Sequence, residues 1–123
     1  MKLLISGSQG QLGKEIQKEG EKRGYQVYPF SHEELDITKM SAVETAVQEL
    51  EPDIIVNCAA YNQVDQAEKE RETAWKVNVE GVENLALSSR RHGSFLVHYS
   101  TDYVFSGNQN HPYREEDLPS PLN

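Results

Sequence analysis

Three glycines near the start of the chain have the spacing of a phosphate-binding turn. Gly7, Gly10 and Gly13 directly follow the apolar run Lys2–Ser6 and begin a helix-forming segment. Gly7 permits a tight turn, Gly10 lets backbone approach a diphosphate, and Gly13 lets the helix pack closely on the strand, while the free helix amides attract phosphate. A helix that merely begins with a glycine-rich turn has the same composition, but the position after an apolar strand favours nucleotide binding.

Further candidates follow the later apolar runs. The Asp36 carboxylate could accept a hydrogen bond from an adenine amino group and Ile37 could cover the ring, although a solvated loop carboxylate is the alternative. Ala59 and Ala60 are small residues after the third run, as close approach of a cofactor requires, and ordinary packing is the competing interpretation. Cys58 is interpreted as a buried filler, since no cationic neighbour accompanies it.

A third group of polar residues closes the fourth apolar run. Hydroxyls in the segment Tyr99–Phe105 could donate to a carbonyl oxygen, or could form only local backbone bonds. The expected ribose-binding acid is missing after the second run, where Ser31 and His32 stand before Glu33, so a preference for NADH or NADPH is not predicted. The four histidines show no paired ligand spacing, and we expect no metal site.

Alternating strand and helix patterns must position these residues. The predicted strands are Lys2–Ser6, Tyr25–Tyr28, Asp53–Asn57 and Phe95–Tyr99. The predicted helices are Gln11–Arg23, a second that begins with a capping box at Ser41–Glu44 and stops before Pro52, and a third over Glu70–Arg91. The third carries Asn78 on its apolar stripe, where a buried amide needs a partner.

Repeated strand–helix–strand units indicate an α/β fold. We predict a Rossmann-like, doubly wound parallel sheet in three α/β/α layers, with strand order 3-2-1-4. The fourth strand would then lie unpaired at an edge. Unless a second copy covers this edge, we therefore expect an incomplete domain, in which residues 1–123 form the N-terminal part of an NAD(P)-binding Rossmann domain in a longer chain.

Composition restricts the class of protein. With 123 residues the chain can bury one modest core, and its net charge of −8, from 12 basic and 20 acidic residues, repels nucleic acid and anionic lipid. We expect no nucleic acid partner and no membrane association. The single cysteine excludes an internal disulfide and fits a cytoplasmic location.

Several strings taken together resemble the extended short-chain dehydrogenase/reductase family. They are I-S-G-S-Q-G-Q-L-G at Ile5–Gly13, L-D-I-T at Leu35–Thr38, P-D-I-I-V-N-C-A-A-Y at Pro52–Tyr61, H-Y-S-T-D-Y-V-F-S-G at His98–Gly107 and P-L-N at Pro121–Asn123. The resemblance covers the whole length. It implies a Rossmann domain that binds NADPH or NADH and delivers hydride to the C4 ketone of a dTDP-4-dehydro-deoxysugar, with a possible homodimer in the full-length protein.

The resemblance also assigns residues. Gly10, Gln11 and Leu12 would hold the diphosphate, with Asp36 and Ile37 at the adenine. Ala60, Tyr61 and Asn62 would contact the cofactor further along. Thr101 would match the catalytic hydroxyl, with Asp102 beside it at the substrate.

One part of the family pattern is not found. The Tyr-x-x-x-Lys motif, whose tyrosine protonates the alkoxide, should follow soon after Asn123, so we predict that residues 1–123 alone do not turn over. A competing hypothesis is a non-catalytic, NADP-binding regulatory subunit similar to that of methionine adenosyltransferase. An intact Tyr-x-x-x-Lys would favour the enzyme, and its loss the regulator.

Overall fold

The computed structural model describes residues 1–123, which form a four-stranded parallel sheet with helices on both faces. The strands are β1 (Lys2–Ser6), β2 (Gln26–Phe30), β3 (Ile54–Asn57) and β4 (Phe95–His98). The helices are α1 (Gln11–Lys22), α2 (Met40–Leu50), α3 (Val64–Ala67), α4 (Arg71–Trp75) and α5 (Gly81–His92), with a π-helical turn at Lys76–Glu80 and a 3-10 turn at Asp102–Val104. The predicted α/β class and parallel sheet are confirmed.

The predicted strand order is wrong. The observed order is β2-β1-β3-β4, with β1 between β2 and β3. In a 3-2-1-4 sheet the third strand pairs with the outer side of the second. Here residues 31–39, which follow β2, form turns and no strand. The chain therefore passes from β2 through α2 to the other side of β1, and β2 becomes an edge. The prediction that β4 lies at an edge is confirmed, and its Phe95 side chain is 68% exposed.

Two apolar layers hold the helices against the sheet. On one face Leu3, Ile5 and Val56 form a small cluster on which Ile16 of α1 packs. On the other face a larger cluster joins the sheet to α2 and α5. Its buried members are Leu4, Leu35, Ile37, Val43, Val47, Ile55 and Leu85. Because the chain leaves β1 toward one face and β3 toward the other, a crevice opens between the carboxyl ends of these strands, where ligands bind in open α/β sheets.

Helix boundaries differ from the prediction at two places. The capping box does not form: α2 begins at Met40, and the Lys39 carbonyl accepts the amides of Ala42 and Val43, so Ser41 lies inside the first turn. Glu44 instead accepts hydrogen bonds from Arg91 and His92 on α5. The predicted third helix is split into α4, the π-helical turn and α5. No helix in this fold combines the length and the apolar character needed to span a bilayer.

Candidate functional site

The glycine turn lies where β1 and β3 come closest. Gly7 has φ +67°, and a Cβ built on it would lie 2.5 Å from the backbone nitrogen of Ala59. A Cβ on Gly13 would lie 2.5 Å from the Gly7 carbonyl oxygen, whereas one on Gly10 would meet that oxygen only at 3.4 Å. Gly7 and Gly13 are therefore needed for backbone packing, while Gly10 keeps the mouth of the turn open.

The first amides of α1 are free to bind an anion. Gly10 caps the helix without a side-chain hydrogen bond, the first turn carries no acidic residue, and the amides of Gln11 and Leu12 have no acceptor within the chain. The turn itself is held by the Gln17 side-chain amide, which donates to the Ser8 carbonyl at 2.8 Å. A twelve-residue helix with unpaired amides at its start suits a phosphate group.

Two clefts meet at the carboxyl edge of the sheet. The first has a volume of about 590 Å³ and the second about 940 Å³, within the usual range for small-molecule sites. They share the segment Cys58–Asn62 as a common floor, so together they form one groove along the strand ends.

The groove brings most of the predicted residues together. Gly7, Gly10, Asp36 and Ile37 line the first cleft, Leu12 and Thr101 line the second, and Ala59, Ala60, Tyr61 and Asn62 line both. The side chains of Gln11 and Asp102 line neither cleft. Gln11 can contribute only its amide, which does not depend on the side chain.

Asp36 is held in a local turn at the entrance of the first cleft. Its Oδ1 accepts hydrogen bonds from the Thr38 hydroxyl at 2.7 Å and the Thr38 amide at 3.0 Å, and its other oxygen lies 3.3 Å from Lys39 Nζ. Desolvation acts to raise the pKa of this carboxyl, but the bonds from Thr38 and Lys39 outweigh it and lower the pKa. Asp36 is therefore a charged acceptor, neither wholly buried nor fully solvated.

Asn57 joins the strand ends beneath the groove. This side chain is 2% exposed. Its Oδ1 accepts hydrogen bonds from the Ser6 hydroxyl at 2.7 Å and the Ala59 amide at 3.0 Å, and its Nδ2 lies 3.1 Å from His98 Nδ1. One amide thus links β1, β3 and β4 to the start of the shared floor.

Asn78 fixes the other end of that floor. The Tyr61 amide donates to Asn78 Oδ1 at 2.8 Å, and Asn78 Nδ2 donates to the Tyr61 carbonyl at 2.9 Å. Asn78 stands in the π-helical turn, a local widening of the helix that is frequent at functional sites. The predicted burial of Asn78 is wrong, because this residue is exposed, but its side chain has a partner, which is the backbone of the groove.

Thr101 begins the 3-10 turn that follows β4. Its hydroxyl accepts the Tyr103 amide at 3.2 Å and lies 3.3 Å from the Asp102 carboxylate, so it makes local bonds while it faces the second cleft. Sequence reasoning missed Asn57 and His98 as residues of the site, and also Thr73 and Lys76 of the first cleft. His32 and Glu33, which follow the second strand where a ribose contact was expected, also line that cleft. The register of Ser6, Asn57 and His98 across the sheet is the signal that locates the first two.

Cys58 provides a chemical probe of the groove floor. Burial raises the pKa of its thiol, and the thiolate is the reactive form. We expect alkylation by iodoacetamide to be slower at pH 7 to 8 than for a free cysteine, and to rise as the pH is raised. Mass spectrometry gives the rate without ambiguity because the chain has one cysteine. A rate equal to that of a free cysteine would contradict the buried environment.

The order of the strands, the crevice between β1 and β3, and the glycine turn define a doubly wound α/β domain of the Rossmann type. Within that class the chain belongs to the RmlD family, since the family model described as the RmlD substrate binding domain matches residues 1–123.

Individual relatives agree with this assignment. A dTDP-4-dehydrorhamnose reductase of Aggregatibacter actinomycetemcomitans is 44% identical over 98% of this chain and 42% of its own length. A crystal structure of the dTDP-4-dehydrorhamnose reductase of Bacillus anthracis in complex with NADP has a TM-score of 0.95 and 48% identity, over 99% of this chain and 44% of that one. Methionine adenosyltransferase 2 subunit beta of Pongo abelii is 35% identical over 99% of this chain and 38% of its own length. The chain thus spans about two fifths of the length of these relatives.

Proposed function

We propose that residues 1–123 form the N-terminal part of the NAD(P)-binding Rossmann domain of a dTDP-4-dehydrorhamnose reductase. The whole protein would be an oxidoreductase that uses NADPH or NADH to reduce the C4 ketone of a dTDP-linked deoxyketosugar. The observation that carries the proposal is the glycine turn, which is followed by the free amides of Gln11 and Leu12 and lies at a groove that continues over Ala59–Asn62 to Thr101. The similarity to reductases of that name supports the substrate class.

The residues along the groove favour one orientation of a bound dinucleotide. The Gly7–Gly10 turn and the α1 amides would hold the diphosphate, because no Cβ fills the mouth of the turn. Asp36 and Ile37, which line the first cleft, would contact the adenosine half, and the floor Ala59–Asn62 would lead the other half into the second cleft. A bound nicotinamide cofactor supplies the hydride.

The second cleft supplies groups for the sugar ketone. The Thr101 hydroxyl faces this cleft at the carboxyl edge, where it can donate to a ketone oxygen as negative charge develops there. The Thr101 hydroxyl donates its one hydrogen to Asp102 at 3.3 Å, so donation to a ketone needs that bond to open, and a contact of Asp102 with substrate needs a different rotamer of its exposed side chain. We assign Thr101 the catalytic hydroxyl and Asp102 a substrate contact.

Titration with NADPH and NADH, followed by nicotinamide fluorescence, tests the proposal. We expect saturable binding of the wild-type chain and protection of Cys58 from alkylation by the bound dinucleotide. If the chain binds neither NADPH nor NADH, the cofactor assignment is overturned.

Replacing Gly10 with alanine should weaken binding and leave folding intact. The new methyl group meets only the Gly7 carbonyl oxygen, at an ordinary 3.4 Å, but it stands where a diphosphate must approach. We expect the dissociation constant for NADPH to rise by about tenfold or more, or about 1.4 kcal/mol. Gly24→Ala, whose Cβ meets nothing within 4 Å at the far end of α1, is the control that should bind as wild type does. Unchanged NADPH affinity in Gly10→Ala would contradict a diphosphate at this turn.

A second candidate is a non-catalytic, NADP-binding regulatory subunit. The similarity to a methionine adenosyltransferase subunit over nearly the whole chain favours it. Both candidates predict NADPH binding, and only the first predicts consumption of NADPH with dTDP-4-dehydrorhamnose by the full-length protein. We also propose a cytoplasmic location, where the free thiol of Cys58 stays reduced, and a possible homodimer of the full-length protein.

A further inference from the structure

The orientation of the Asn57 amide is determined by its neighbours. Its oxygen must be the atom next to Ser6 and Ala59, because the backbone amide of Ala59 can only donate, at 3.0 Å. The Ser6 hydroxyl donates to the same oxygen at 2.7 Å. The nitrogen Nδ2, which carries two hydrogens and no free lone pair, therefore faces His98.

This orientation determines which ring nitrogen of His98 carries the proton. Nδ1 of His98 lies 3.1 Å from Asn57 Nδ2 and must accept its hydrogen bond. A neutral imidazole with an acceptor at Nδ1 has its proton on Nε2. The Ser6 hydroxyl, the Asn57 amide and the His98 ring thus form a chain of hydrogen bonds that ends in an N–H group.

That N–H group points away from Asn57, on a residue that lines the second cleft. His98 is exposed, it lines this cleft together with Thr101 and Leu12, and the hydrogen bond to Asn57 is the only one that its ring makes within the chain. The ring is held by the buried Asn57 on one side and open to the groove on the other. Its donor is therefore fixed in direction before any ligand arrives.

We infer that His98 is a further ligand-binding residue, whose Nε2–H donates a hydrogen bond to an oxygen on the nicotinamide half of the bound dinucleotide. The inference rests on the proposed function, because the adenosine half and the diphosphate are assigned to the first cleft and the glycine turn. The remaining half then lies over the ends of β3 and β4, where His98 stands. The carboxamide and ribose oxygens of that half are acceptors of the required kind.

Two substitutions separate the contact with Asn57 from the contact with the ligand. In His98→Asn the short side chain can accept from Asn57 but does not reach the groove. In His98→Gln the longer side chain places an amide N–H near the position of Nε2. We expect His98→Asn to weaken NADPH binding about tenfold, as for loss of one hydrogen bond, and His98→Gln to restore most of the affinity.

The adenosine fragment 2′-phospho-ADP, which lacks both nicotinamide and its ribose, serves as the second ligand. We expect its affinity to be the same for wild type, His98→Asn and His98→Gln. Equal NADPH affinity in all three proteins, or equal weakening of NADPH and the fragment in His98→Asn, would overturn the inference and leave the proposed function standing. Failure of the wild-type chain to bind NADPH would instead remove the proposed function itself.

The tautomer is a readout that does not depend on ligand binding. A long-range ¹H–¹⁵N spectrum distinguishes a proton on Nδ1 from one on Nε2, and comparison with His98→Asn assigns the signals among the four histidines. We expect protonated Nε2 and unprotonated Nδ1 at neutral pH. A proton on Nδ1 would overturn the inference, because the Nε2 atom would then face the groove as an acceptor.

Discussion

Replacing Gly7 with alanine should destabilise the fold by about 2 to 5 kcal/mol. The left-handed backbone at φ +67° disfavours alanine by about 1 to 2 kcal/mol. The added methyl group would also lie 2.5 Å from the Ala59 nitrogen and 2.7 Å from the Cys58 carbonyl carbon. These are backbone atoms that cannot rotate away, so the ends of β1 and β3 must separate, and overpacking of this kind has a penalty of about 1 to 3 kcal/mol.

Urea unfolding followed by circular dichroism measures this effect, with Gly24→Ala as the matched control. Gly24 has φ +73° and open space around its Cβ, so alanine there meets only the conformational penalty of about 1 to 2 kcal/mol. The difference between the two variants isolates the contact with Ala59. Equal losses of stability at both positions would show that the two strand ends are not held together as described.

The positions of the strands could be predicted because each strand is marked by a short run of apolar residues in its own sequence. Leu3, Leu4 and Ile5 are apolar in succession since both faces of β1 are covered, and Ile55 and Val56 follow the same rule in β3. The second strand was predicted to end at Tyr28 but continues through Pro29 to Phe30. Proline is tolerated there because β2 is an edge strand, and edge status depends on the strand order.

The local sequence pattern does not determine the order of the strands in the sheet. Whether β3 pairs with β1 or with β2 depends on the path of the chain through residues 31–39, and turns there replace the strand that the common dinucleotide-binding order contains. The same limit applies to the capping box. Ser41 and Glu44 have the right types and spacing, but the earlier turn at Asp36–Lys39 begins the helix first.

The candidate site was predictable where residue type alone limits the backbone. The glycine turn is such a case, since only glycine fits at Gly7 and Gly13. The polar residues that hold the groove are different, because their partners are distant in sequence: Asn57 bonds Ser6 across 51 residues and lies against His98 across 41. Asn78 could be recognised as unusual on an apolar stripe, but its partner Tyr61 follows only from the fold.

Replacing Asn57 with leucine should also destabilise the fold strongly. The substitution removes the acceptor of the Ser6 hydroxyl, which is fully buried, and of the Ala59 amide. A buried donor such as the Ser6 hydroxyl left without a partner has a penalty of about 1 to 3 kcal/mol, and loss of the partly buried bond to the Ala59 amide adds about 1 kcal/mol, so we expect a total loss of about 2 to 4 kcal/mol in the free energy of unfolding. The comparison is Asn84→Leu, which removes one partly buried hydrogen bond to the Ile37 carbonyl and should lose about 1 kcal/mol.

Asn57→Leu should also weaken NADPH binding, measured under conditions in which this variant remains folded. Without the Asn57 oxygen the Ala59 amide no longer holds the start of the groove floor, and without the Asn57 nitrogen the His98 ring is free to rotate. Affinity for 2′-phospho-ADP, which lacks the whole nicotinamide half, reports the first loss, and the additional loss for NADPH reports the second. Equal stability of Asn57→Leu and Asn84→Leu would mean that Ser6 and Ala59 find other acceptors, and Asn57 would then not be the residue that joins the strand ends to the groove.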